Sequence, residues 1–70
     1  ITMNIEQRIN QLRRNLIRLG YYPFEIKNII KEAIGTIEIE KADHAQLRQL
    51  VRVLEGYEKL GREFLTSYSK

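Results

Sequence analysis

The sequence predicts a small all-α domain: a short helical hairpin, then one long C-terminal helix, forming a homodimer through that third helix. Three observations lead there. Apolar residues recur at three- and four-residue spacing in three separate stretches. Gly20, Pro23 and Gly35 fall between the first stretches as punctuation. The third stretch is longer than the other two and apolar around more of its circumference, so one chain cannot cover it.

Seventy residues amount to a single domain, 1–70. A chain this short buries only roughly 60% of the surface that it exposes when unfolded, so it calls for an additional brace. It has no cysteine and one histidine, His44, so disulfides and thiolate metal sites are excluded and a partner subunit is the brace left. With 43% hydrophobic and 30% charged residues, the composition is that of a folded globular protein. No apolar run approaches the ~20 residues that span a bilayer, and the first periodic stretch is rich in arginine, unlike a secretion signal. A cytoplasmic protein is the expectation.

Asn4 begins the first helix, with Gln7 placed to complete a capping box. Ile5, Ile9, Leu12, Leu16 and Leu19 make its apolar stripe, and Gly20 stops it, giving a helix over about 5–19. Pro23 suits the first turn of a second helix over 23–34, where its missing N–H costs nothing, and Glu25 favours the helix dipole. Ile26, Ile29, Ile30 and Ala33 form the inner face, and Gly35 ends it. In the linker 35–43, Ile37 and Ile39 alternate with Glu38 and Glu40 as in a strand, with no partner strand in the chain. An extended linker that buries both isoleucines is the expectation. Asp43 and Gln46 form a second capping pair that opens a third helix over about 44–67. Leu47, Leu50, Val51, Leu54, Tyr57, Phe64, Leu65 and Tyr68 carry its stripe, while Arg48, Arg52, Glu55, Lys59, Arg62 and Glu63 form a mixed-charge outer face.

At 1.5 Å per residue, the three helices would measure about 22, 18 and 36 Å, so the first two cannot cover the third along its length. Val53, Tyr57, Leu60, Phe64 and Tyr68 are therefore expected in an interface with a second copy or a protein partner. Gly61 joins them as a bare stretch of backbone that lets another helix come close. Gly56 lies on the outer face and offers a place for a bend.

No motif in the chain carries catalytic chemistry. His44 has no nucleophile beside it and reads as an exposed helix-start residue, no glycine-rich phosphate loop is present, and Glu38 and Glu40 share only a linker. The expectation is a protein that is not an enzyme and has no cofactor, metal site or small-molecule substrate.

Charge gives the functional lead. The net charge is +3, and residues 1–35 hold all of the excess: six basic residues against three acids, with none of the acids between residues 7 and 24. On the first helix Gln7, Gln11, Arg14 and Arg18 lie opposite the apolar stripe, with Arg8 and Arg13 beside them. Arginine and glutamine are the side chains that grip phosphates and read base edges.

The segment Leu16–Lys31, LIRLGYYPFEIKNIIK, resembles a helix-turn-helix in its glycine turn and in the inward Ile26 and Ile29. It departs from that pattern at Leu16, where a small residue is usual. The resemblance implies that Tyr22, Phe24, Lys27, Asn28 and Lys31 face outward on the reading helix. The whole chain, through Leu19-Gly20-Tyr21, Glu25-Ile26, Ile29-Ile30, Glu32-Ala33 and Leu54-Glu55-Gly56-Tyr57, resembles small helical proteins of prophages and mobile elements in Gram-positive bacteria. That resemblance implies a bacterial cytoplasmic setting and no particular activity.

Two functions follow. The first is a dimeric accessory or regulatory protein that binds DNA through Arg8, Gln11, Arg14, Arg18, Lys27, Asn28 and Lys31. The second is a protein-interaction module, an adaptor or inhibitor that docks the apolar face of the third helix on a partner. Neither requires a membrane.

Overall fold

A computed structural model describes residues 3–68, with side chains as far as Phe64. The elements are α1 (Ile5–Arg18), α2 (Pro23–Ile34), a single 3-10 turn (Ile39–Lys41) and α3 (His44–Tyr68). No strand occurs among the described residues. Tyr68, expected at the interface, lies outside the described side chains.

The caps form as the residue types require. The Asn4 side-chain oxygen accepts from Gln7 N–H at 2.8 Å, and Gln7 accepts from Asn4 N–H at 3.0 Å. At the other end of α1, Gly20 adopts φ +107°, which is costly for a residue with a Cβ. This reversal lets Gly20 N–H reach Ile17 O and Tyr21 N–H reach Leu16 O, each at 3.0 Å, satisfying carbonyls that the helix leaves open. Helix α1 therefore ends at Arg18, with Leu19 as its cap. In α2, Glu25 reaches back to accept from Tyr22 N–H at 2.8 Å. Asp43 and Gln46 exchange hydrogen bonds of 2.8 and 3.0 Å at the start of α3. Gln46 then spends its amide on the Ile34 carbonyl at 3.3 Å, tying α3 to the end of α2.

The linker differs from the expectation. Ile39 is buried, whereas Ile37 is exposed. The chain leaves the extended conformation at Glu38 and winds into a turn, with Lys41 N–H donating to Glu38 O. Two residues that would share one side of a strand are thereby sent in different directions.

Helix α3 is the hub. Arg8 meets Glu55, Asn15 meets Glu58 and Leu19 meets Gly61, so α1 runs along α3 in the same direction. Tyr21 lies at Tyr57 and Ile34 at Gln46, so α2 runs back against it. Ile9, Leu12 and Leu16, Ile26, Ile30 and Ile34, Ile39, and Leu47, Leu50 and Leu54 form one core. Helix α3 continues unbroken through Gly56 and Gly61.

The two glycines of α3 have opposite surroundings. A Cβ on Gly61 would sit 3.2 Å from Leu19 Cδ1 and 3.3 Å from Tyr21 Cε2, whereas a Cβ on Gly56 would meet nothing within 4 Å. The bare backbone at Gly61 thus admits the chain's own α1–α2 turn, where the sequence reading had a partner helix. Gly56→Ala is expected to raise stability by about 0.5–1 kcal/mol, through helix propensity alone. Gly61→Leu is expected to lower it by about 1–3 kcal/mol, because the turn must move to make room. Urea melts of both variants check the pair, and a neutral Gly61→Leu would show that the turn is only loosely seated.

Candidate functional site

Two surfaces stand out, one charged and one apolar, on different parts of the chain. The charged one lies on α1 and α2. Arg14 and Arg18 are exposed on α1, as are Lys27, Asn28 and Lys31 on α2. Among the described residues, none of Arg13, Arg14, Arg18, Lys27 and Lys31 forms an ion pair. Met3, Gln7, Asn10 and Arg14 line a shallow depression beside them.

Arg8 and Gln11 behave differently from the other predicted contact residues. Arg8 spans to α3, with one guanidinium nitrogen 2.9 Å from Glu55 and the other donating to Gln11 at 2.9 Å. Both are half-buried, so the exposed members of the predicted contact set are the cations Arg14, Arg18, Lys27 and Lys31, with the neutral Asn28. The acid that captures Arg8 comes from a helix nearly fifty residues later, which local patterning cannot reveal.

At the head of α2, Tyr22 and Phe24 are both exposed and stack on one another, with ring centres 5.8 Å apart and planes 8° from parallel. An aromatic pair open to solvent beside Lys27 and Asn28 has flat faces available for stacking.

The apolar surface belongs to the outer side of α3. Leu60 is 59% exposed and Phe64 is 61% exposed, one helical turn apart. They border a notch of about 490 Å³ where the α1–α2 turn meets α3, with Leu19, Gly20 and Tyr21 on its far wall and Glu25 and Glu63 at its edge. A second hollow, about 380 Å³, lies on the other side of Leu60 around Gly56, bounded by Arg52, Val53 and Tyr57. Of the residues expected at an interface, Leu60 and Phe64 are exposed and Val53 is half-buried. Tyr57 and Gly61 serve the internal fold: Tyr57 packs edge-on to Tyr21 at 6.0 Å, and its carbonyl accepts from the Tyr21 hydroxyl at 3.3 Å. Burial pushes the Tyr21 hydroxyl above its ordinary pKa, and Tyr57 and Glu25 act in the same direction, which keeps the group a neutral donor.

Sequence reading missed Glu58. It is 8% exposed on the inner face of α3, accepting from Asn15 Nδ2 at 2.7 Å and lying 3.3 Å from Arg62. The signal was present: the inward row Leu47, Leu50, Leu54 steps next to residue 58, and the facing position on α1 holds an asparagine. Among the described residues no group of three or more His, Cys, Asp or Glu could hold a metal ion. No described helix is long and apolar enough to cross a membrane.

No family model, curated protein or solved structure matches this chain.

Proposed function

We propose that this protein is a non-catalytic nucleic-acid-binding accessory or regulatory protein, acting as a dimer joined through α3. The basic faces of α1 and α2 would meet the phosphate backbone. The observation that carries this reading is the uncompensated positive charge of Arg13, Arg14, Arg18, Lys27 and Lys31, on a hairpin whose residues 7–24 include no acid. Acids were available on the same chain, and Arg8, Lys41 and Arg62 use them. Uncompensated cations at fixed spacing draw in a polyanion, because each phosphate neutralised releases condensed counterion. The exposed Tyr22–Phe24 stack and Asn28 add groups that contact bases. A bacterial cytoplasmic setting, of the prophage kind that the sequence resembles, belongs to this reading.

The test is a duplex-binding titration at several salt concentrations. Arg14→Ala/Arg18→Ala is expected to keep the helical spectrum and to reduce the slope of log affinity against log salt by about two. Binding at low salt should fall at least roughly tenfold. An unchanged slope removes α1 from the contact surface.

The exposed Leu60 and Phe64 favour a second reading, an adaptor or inhibitor that docks α3 on another protein. Under it, Leu60→Asp abolishes the activity while Arg14 and Arg18 are dispensable.

A further inference from the structure

We infer that the nucleic acid held by this protein is a strand with unpaired bases, one of which stacks on the Tyr22–Phe24 pair while Lys27 and Lys31 hold its phosphates. The inference rests on the nucleic-acid reading above and assigns the form of nucleic acid that the head of α2 takes.

Tyr21 and Tyr22 are neighbours with opposite surroundings. Tyr21 packs inward on Tyr57, whereas Tyr22 is 65% exposed and Phe24 is 63% exposed. Neither Tyr22 nor Phe24 belongs to the hydrophobic core or to the layer packed on it, so the fold gains little from two large rings at this place. The backbone beneath them is held in position. Pro23 locks its own φ and restricts the residue before it, and Tyr22 N–H donates to the Glu25 carboxylate at 2.8 Å. A platform ordered in advance takes up a flat ligand with less entropy lost.

Helical spacing decides what lies beside the platform. Phe24, Lys27, Asn28 and Lys31 are all exposed and follow one another on one side of α2, making a strip about 10 Å long. Lys27 and Lys31 form no ion pair among the described residues. The two acids of α2, Glu25 and Glu32, are seven residues apart and lie together on the flank beyond Asn28, away from the lysines. Glu25 is half-buried and engaged in the cap. Across its outer side α2 thus runs from lysines, through Phe24 and Asn28, to acids. That order suits a strand laid with its phosphates on the lysine flank and a base face on the rings, with Asn28 offering a donor and an acceptor to a base edge.

In a duplex both faces of each base are covered by its neighbours, and the grooves present only edges. An aromatic ring then reaches a base face only if that base is pulled from the stack, at a cost. An unpaired strand offers its base faces without that cost. Charge alone favours the duplex, whose phosphates are more densely spaced, so a preference for the strand is the signature of the rings.

The test compares a thymidine strand of about twenty nucleotides with a duplex of about ten base pairs, which carries a similar number of phosphates. At low salt the strand should bind at least about fivefold more tightly, the worth of one base stacked on an aromatic ring. Equal or tighter binding of the duplex overturns this inference and leaves the nucleic-acid reading standing, whereas failure of both to bind overturns that reading as well. Tyr22→Leu/Phe24→Leu keeps apolar bulk and removes both flat faces. It should keep its helical spectrum, bind the strand about fivefold or more weakly, and leave duplex affinity unchanged. Undiminished affinity for the strand overturns the stacking. Lys27→Ala/Lys31→Ala should lower the strand's slope of log affinity against log salt by about 1.4, and an unchanged slope removes this side of α2 from the contact.

Phe24→Trp reads the stacking directly, since the chain has no tryptophan of its own. A stacked base quenches indole emission, so the thymidine strand should quench it and inorganic polyphosphate, a polyanion without bases, should not. A uridine strand should quench it too, because neither a ring face nor a lysine reads the sugar. Equal quenching by polyphosphate overturns the stacking, and quenching by only one of the two strands overturns a site built from base faces and phosphates alone.

Discussion

Leu54→Ala is expected to cost about 2–5 kcal/mol, a large share of the stability of so small a domain. Leu54 has no exposed surface and belongs to the same core as Leu50, Leu12 and Leu16. Removing its branched end forfeits the transfer free energy of three carbons and opens a cavity that rigid neighbours fill only in part. At about 0.05–0.15 kcal/mol per residue, a chain of this size holds only roughly 3–10 kcal/mol in total. The measurement is a urea melt followed by far-UV circular dichroism, at one fixed protein concentration because dimerisation would shift the midpoint. Leu54→Met, which conserves volume, should cost less than about 1.5 kcal/mol. If alanine and methionine give the same small loss, Leu54 does not lie in a packed core.

The second large effect concerns the polar pair inside the α1–α3 contact. Asn15→Leu takes the 2.7 Å amide donor from the Glu58 carboxylate and leaves that charge with Arg62 at 3.3 Å. A lost hydrogen bond to a charged acceptor costs about 1.5–3 kcal/mol when the acceptor stays out of water. Replacing both partners removes the need for the bond, so Asn15→Leu/Glu58→Leu should lie much closer to the parent than the two single losses predict. The four proteins form a double-mutant cycle, with a coupling energy of about 1 kcal/mol or more expected. Additive losses would mean that the two side chains act independently. The double variant also bears on specificity: a polar pair at one level fixes how far α1 slides along α3, whereas leucines there would accept more than one register.

The sequence by itself determined the three helices, their order and nearly all of their ends. The signals involved are local. Asn4 with Gln7 and Asp43 with Gln46 satisfy helix N–H groups within three residues, Pro23 opens α2, and Gly20 and Gly35 reverse the chain where it needs positive φ. Hydrophobic spacing likewise picked out the inward residues Ile9, Leu12, Leu16, Ile26, Ile30, Leu47, Leu50 and Leu54, since periodicity alone decides which side of a helix leaves water. It identified Leu60 and Phe64 as uncovered for a related reason: helix lengths follow from residue counts.

Tertiary structure decided which elements meet. Arg8 reads as one more cation of a basic face until Glu55 arrives from α3 to hold it. Gly61 reads as room for a partner helix until the chain's own turn fills it, and Glu58 takes an inward place because Asn15 stands opposite. Ile37 reads as core until the linker winds at Glu38 and turns it outward. Each of these outcomes depends on how helices without local contact cross one another. Spacing along a single helix gives the direction of its apolar face and leaves open which residue of another helix lies across from each position.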